Sequence, residues 1–254
     1  MDTTHRTGKA ARSFGWVLLT LAVLVPAAAR ASSLQASPVS ITFEPTAQAQ
    51  ALQLDNTGSE PLEAQVRVQR WSQRDGQDVL EEANDIVATP AIVKVAPGQR
   101  QVVRLVRSQA AAPAREQAYR VLVDELPGNR AAGTDSGLQV LLRYSIPVFV
   151  NASATPASVD LSTLRAQLAA NAEGQTELRV LNRGPAHVRI SALATEAGTA
   201  ARELVPGLVG YVLPGQQMAF PVDLPLPLAA GQTLKARFND DREARPVPLD
   251  RVGP

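Results

Sequence analysis

The chain contains no cysteine. That absence excludes disulfides, thiolate nucleophiles and thiolate metal sites, so the fold must rest on ordinary apolar cores. Histidine is nearly absent as well: of the two present, only His187 lies beyond the N-terminal segment. No serine sits in a Gly-x-Ser-x-Gly elbow, no His/Asp/Glu group has metal-ligand spacing, and no glycine-rich loop is built to cradle phosphate. Asn239-Asp240-Asp241 puts two carboxylates side by side, in a setting that reads as a polar turn or hinge contact rather than a cation site. His187 reads as a surface strand residue rather than a base. The sequence therefore predicts no enzyme, no cofactor and no metal. A net charge of +1 also leaves no field to hold nucleic acid or an anionic membrane.

Long apolar runs are missing too. The longest candidate, Trp16 to Val25, is shorter than the roughly 20 residues a bilayer-spanning helix needs. It follows Arg6, Lys9 and Arg12 and precedes the small-x-small triplet Ala29-Arg30-Ala31, the order of a cleavable export signal. The expectation is a signal peptide over 1–31, a mature chain beginning at Ser32, and no stable membrane insertion.

What is present is β-pattern and punctuation. Leu52-Gln53-Leu54 and Ala64 to Trp71 alternate apolar and polar side chains, and Gln101 to Val106 does so more loosely. Such alternation buries one face of a strand and wets the other. Asn56-Thr57-Gly58, Asp75-Gly76, Pro97-Gly98 and Pro127-Gly128-Asn129 fall between the runs as turns. Amphipathic helices are scarce. Leu161, Leu164 and Leu168 have helical spacing, but their neighbours are β-like, and a strand and loop opening a second domain is the preferred reading. Small residues and Pro156 mark a boundary near Asn151. Beyond it the β style repeats: Glu177 to Leu181, the turn Asn182-Arg183-Gly184-Pro185, His187 to Leu193, Pro214-Gly215, and Leu234 to Phe238. Each half has the size of an immunoglobulin-like module.

One segment departs from alternation. Gly137 to Val150 is apolar on both faces, as a buried central strand would be, yet it contains Pro147. Proline donates no ladder hydrogen bond and belongs at sheet edges. An apolar edge is an aggregation hazard unless a partner covers it, so this strand is expected to pair with another protein.

The order and spacing of several pieces resemble the PapD-like periplasmic pilus chaperones over nearly the whole chain past the export signal. These are Asn56-Thr57-Gly58, Ala88-Thr89-Pro90, Ala96-Pro97-Gly98 with Val103-Arg104-Leu105, Glu116 to Arg120, Asp124-Glu125-Leu126-Pro127, the Leu138 to Val150 strand, and Phe238-Asn239-Asp240. Trp71-Ser72-Gln73 with Asp75-Gly76, and the ending Ser145 to Val150, are most similar to the archaic, spore-coat-U-associated branch. The resemblance implies an all-β fold of two immunoglobulin-like β-sandwich domains arranged in an L. Its domains are an N-terminal one over 32–151 that carries a donor strand and a C-terminal one over 152–254. It implies a chaperone that lends Leu138, Val140 and Leu142 to an incomplete pilus subunit and delivers that subunit to an outer-membrane usher. The competing role for these three residues is the chaperone's own core.

Departures from the family pattern carry their own expectations. The better-known branch anchors the subunit's C-terminal carboxylate with an arginine and a lysine. Ser40 and Pro147 stand at those positions, so Arg120 and Arg143 become the candidates for anchoring. The family's interdomain ion network is matched by Glu116 and Asp240, but its arginine position reads Asn151. Arg237 or Arg242 is then expected to bridge the two acids. The functional alternative, an exported two-domain adhesin or structural pilus subunit, predicts an incomplete sheet or an N-terminal extension rather than a donor-like strand.

Overall fold

The computed structural model describes residue 1 and residues 34–127, 141–153, 159–198 and 200–250. Ten strands come first: β1 (Leu34–Ser37), β2 (Ile41–Phe43), β3 (Ala49–Asn56), β4 (Leu62–Arg74), β5 (Gln77–Glu82), β6 (Ile86–Thr89), β7 (Ile92–Val95), β8 (Arg100–Arg107), β9 (Gln117–Leu126) and β10 (Arg143–Val150). They form two sheets, one in the order β1-β3-β8-β6 and one in the order β2-β10-β9-β4-β5, with β7 also paired to β4. The alternation read in the sequence faces one sheet onto the other. Leu52 and Leu54 of β3, Val103 and Leu105 of β8, Val66 of β4, and Val121 and Val123 of β9 meet in a single buried core.

Seven strands follow: β11 (Leu164–Ala170), β12 (Thr176–Asn182), β13 (Val188–Ala197), β14 (Ala200–Val212), β15 (Gln217–Pro221), β16 (Gln232–Phe238) and β17 (Arg245–Pro246). Their sheets run β11-β12-β15 and β14-β13-β16-β17, packed over a second core that includes Leu164, Leu178, Val180, Ile190, Leu234 and Phe238. The Leu161–Leu168 ambiguity resolves as one short 3-10 turn, Leu161–Thr163, leading into β11. Asp160 caps the turn, its Oδ1 accepting from the Ser162 amide at 2.9 Å.

The two sandwiches repeat one local device. Asn56 is buried; its Nδ2 donates to the carbonyls of Glu60 (2.7 Å) and Val95 (2.9 Å), and its Oδ1 accepts from Gly58 N (2.9 Å). Asn182, also buried, donates to the carbonyls of Ala186 (2.8 Å) and Val212 (3.0 Å) and accepts from Gly184 N (2.8 Å). In both, the asparagine backbone also binds the Pro-Gly turn, Gly98 in one and Gly215 in the other. Gly98 and Gly215 both have positive φ, which glycine adopts without penalty. Each Asn-x-Gly element thus ties its own turn to a second chain segment, 95–99 in one sandwich and 212–216 in the other.

Candidate protein-binding edge and the junction between the sandwiches

Strand β10 positions the site. It pairs antiparallel with β9 along its length, Arg143 opposite Asp124 through Val150 opposite Gln117. On its other side it pairs parallel with β2 only at Val148, Phe149 and Val150. Among the described residues no strand covers that side of 143–147. This explains how the segment holds both a proline and an apolar pattern. Pro147 lies on the uncovered stretch, just before β2 joins, so its missing N–H costs no ladder bond there. Alternation then divides the strand. Tyr144, Ile146, Val148 and Val150 pack on the core, whereas Phe149 packs in a separate cluster with Trp71, Ala118, Tyr211 and Leu213. Leu142, just before β10, is half-buried; its N–H donates to Glu125 Oε2 at 3.3 Å and its carbonyl accepts from Glu125 N at 3.0 Å. Leu138 and Val140 lie outside the described residues.

Arg120 stands on β9 directly opposite Pro147. The parallel register of Val148 with Ile41 carries the same row on to Ser40. The guanidinium of Arg120 therefore projects from the row that holds Ser40 and Pro147. It lies over the Trp71 ring, 3.7 Å from its centroid, and 5.5 Å from that of Tyr211. Its side chain is 14% exposed, and the carboxylate of Asp78 is 3.9 Å away. Burial pulls its pKa below the usual arginine value, against the opposing effects of Asp78 and Tyr211. The result is a largely desolvated cation whose counter-charge, Asp78, sits at the outer limit of an ion pair.

Arg143 lies four residues away along the strand. Its Nε hydrogen-bonds Asp124 Oδ1, and Arg67 Nη2 donates to Asp124 Oδ2 at 2.6 Å. Burial works to raise the Asp124 carboxyl, and the two arginine hydrogen bonds outweigh it, holding the group below its ordinary range.

The junction between the sandwiches is built from residues that single-strand patterns do not reveal. Glu116, with 3% of its side chain exposed, accepts from His187 N at 2.7 Å and meets His187 Nδ1 at 2.9 Å. The His187 ring stacks on Phe149, centroids 3.4 Å apart and planes within 5°. His187 is therefore a half-buried junction residue, not the surface strand residue its sequence position suggested. Asp240 stands apart from Glu116's partner; its exposed carboxylate takes Arg189 Nη2 at 2.9 Å. The expected bridge through Arg237 or Arg242 is replaced by two separate pairs, Glu116 with the His187 amide and ring and Asp240 with Arg189. Gln73, buried on β4, adds a third tie. Its Nε2 donates to the Tyr211 carbonyl (2.9 Å) and its Oε1 accepts from Leu213 N (2.8 Å), so one side-chain amide pairs with a backbone as a neighbouring strand would. The sequence marked Trp71-Ser72-Gln73 only as similar to the archaic branch; nothing in it signalled this contact with Tyr211 and Leu213.

Comparison with known proteins agrees with this geometry. Residues 33–156 match the family model described as pili and flagellar-assembly chaperone, PapD N-terminal domain. A chain of the CsuC–CsuE chaperone–tip adhesion subunit pre-assembly complex, from the archaic chaperone-usher Csu pili of Acinetobacter baumannii, is 25% identical with a TM-score of 0.65, over 86% of this chain and 98% of that one. The CupB2 chaperone of Pseudomonas aeruginosa is 19% identical with a TM-score of 0.57, over 85% and 100% of the two chains. A chain of the SafA pilin–SafB chaperone complex of Salmonella enterica is 15% identical with a TM-score of 0.59, over 86% and 96%. A search of curated protein sequences returns no match. A PapD N-terminal domain of the pili and flagellar-assembly chaperones thus spans residues 33–156, and the two β-sandwiches share the fold of the Csu-complex chain over 86% of this chain.

Proposed function

We propose that this chaperone works in the periplasm, after removal of residues 1–31, by lending the segment from Leu138 through β10 to a pilus subunit and passing the loaded subunit to an outer-membrane usher. The observation that carries the reading is the half-covered β10, whose 143–147 side has no strand beside it among the described residues. An extended partner segment can pair with such an edge through main-chain hydrogen bonds. The two-residue period puts Leu142, Val140 and Leu138 on the same parity as core-facing Ile146. A subunit lacking one strand would take these side chains into its own open core, each contributing roughly 1.5–3 kcal/mol. On this reading 32–151 is the domain that carries the donor strand and 152–254 the domain that braces it.

Arg120 is the stronger of the two candidates for the subunit's C-terminal carboxylate. It shares a row with Ser40 and Pro147, beside the open edge, and a partly desolvated guanidinium whose counter-ion sits at the outer limit of an ion pair gains most from an incoming carboxylate. Arg143 lies about 13 Å further along the strand, at roughly 3.3 Å per residue, and is already engaged by Asp124.

The test is recovery of the subunit. Co-expressed with the pilin encoded beside it, the wild-type chaperone should raise soluble pilin and co-purify with it. Val140→Asp should abolish that recovery while the chaperone itself stays folded and soluble. Undiminished recovery with Val140→Asp would remove this strand from the binding site, and a protein that never raises pilin yield would favour the adhesin or structural-subunit alternative.

A further inference from the structure

The outward face of the sheet that contains β10 carries a second cationic feature. In successive cross-strand rows it presents Arg120 with Pro147, then Arg67, Leu122 and Ser145, then Gln65, Asp124 and Arg143. The last two rows hold one carboxylate between two guanidiniums. Asp124 has only 11% of its side chain exposed, whereas Arg67 is 42% and Arg143 66% exposed. Arg143 spends its Nε on Asp124, and Arg67 one terminal nitrogen. That leaves the terminal fork of Arg143 and the second terminal nitrogen of Arg67 facing water. Nearby acids are otherwise engaged: Glu63 lies 3.7 Å from Lys94, and Glu125 accepts from the Leu142 amide. The cluster therefore carries a net positive charge, with Arg143 on the open-edge strand β10 and Arg67 two strands further in on β4, its guanidinium reaching towards the edge as far as the Asp124 carboxylate on β9.

A strand docked on 143–147 extends this sheet, and its outward side chains fall beside Ser145 and Arg143 as cross-strand neighbours. We propose that Arg143 and Arg67 form a carboxylate-binding site that takes an acidic side chain on the outward face of the docked subunit strand. The inference rests on the edge-docking reading and adds a selectivity to it: apolar side chains on the inward parity, acidic ones on the outward parity. Asp124 is the positioning residue, since it orders both guanidiniums before the partner arrives and lowers the entropy lost on binding. A charge on an open edge also discourages unwanted pairing with like edges, but that role gives no reason to fix two arginines on one buried carboxylate.

Three capped heptapeptides test it, with valine at alternate positions and glutamate, threonine or lysine between. Each is titrated into the purified chaperone while the arginine Nε–H resonances are followed by NMR. The glutamate peptide should bind about fivefold more tightly than the threonine peptide, the size expected of a well-placed ion pair. It alone should shift the Arg67 and Arg143 signals. Arg143→Gln should lose the preference for glutamate over threonine. Equal affinity for the glutamate and lysine peptides, or a preference that survives in the Arg67→Gln, Arg143→Gln double variant, overturns the site. Failure of all three peptides to bind overturns the edge-docking reading itself, and the acidic selectivity with it.

Discussion

Asn56 and Asn182 show how much one side chain decides in this protein. Each is fully buried and makes three hydrogen bonds to backbone groups, two within its own turn and one to a distant segment. Truncation to alanine strands those groups, and a buried unsatisfied donor or acceptor costs on the order of 1–3 kcal/mol. Asn56→Ala should therefore lower stability by roughly 2–4 kcal/mol, with Asn182→Ala comparable, measured by urea unfolding. A loss below about 0.5 kcal/mol would mean that water replaces the asparagine at little cost. The two Asn-x-Gly strings were visible in the sequence as turns. Their shared bonding was not, because Val95 and Val212 lie 39 and 30 residues away from the asparagines they bind. The same holds for His187. Nothing beside it in sequence signals Phe149 or Glu116, and register and packing across the junction alone bring them together.

At the scale of an element, β10 behaves as two half-strands. Its C-terminal end is an interior strand between β9 and β2, and its N-terminal end is, among the described residues, an edge. The sequence already carried this contradiction, in the apolar pattern on both faces and in Pro147. It could not say where the change occurs, since that depends on the three-residue length of β2. Asp124 ties β4, β9 and β10 together through Arg67 and Arg143, and its carboxyl titrates below the ordinary range. A depressed folded-state pKa gives stability that is present above the unfolded value and lost as pH falls through the folded one. Asp124→Asn should thus cost about 1–2 kcal/mol at neutral pH, discounted for the exposure of both arginines. The gap between variant and wild type should close as the pH is taken below the usual carboxylate range. A gap independent of pH would show that the aspartate acts by shape and not by charge.

For the molecule as a whole, the junction matters because β10, the strand proposed to be lent, passes through it. Phe149 of β10 stacks on His187, and Arg120 of β9 lies against both Trp71 and Tyr211. The β-sandwich class and the pairing of Glu116 with the second half were legible in outline. The partner was not, because the sequence suggested an arginine where the structure uses a histidine amide and ring. Glu116→Ala should leave each sandwich folded by circular dichroism, broaden the small-angle scattering profile and weaken subunit capture. A variant that scatters and binds as the wild type does would leave Gln73 and the aromatic cluster as sufficient to hold the junction. The central claim is that the chaperone lends a strand, and amide hydrogen exchange over residues 138–147 tests it most directly. With the chaperone alone, amides on the open side should exchange freely; in the complex with co-purified pilin, those of 138–147, Pro147 apart, should become protected by a hundredfold or more, on the order of 3 kcal/mol. Protection confined to other strands, with 138–147 exchanging as in the free protein, would contradict it.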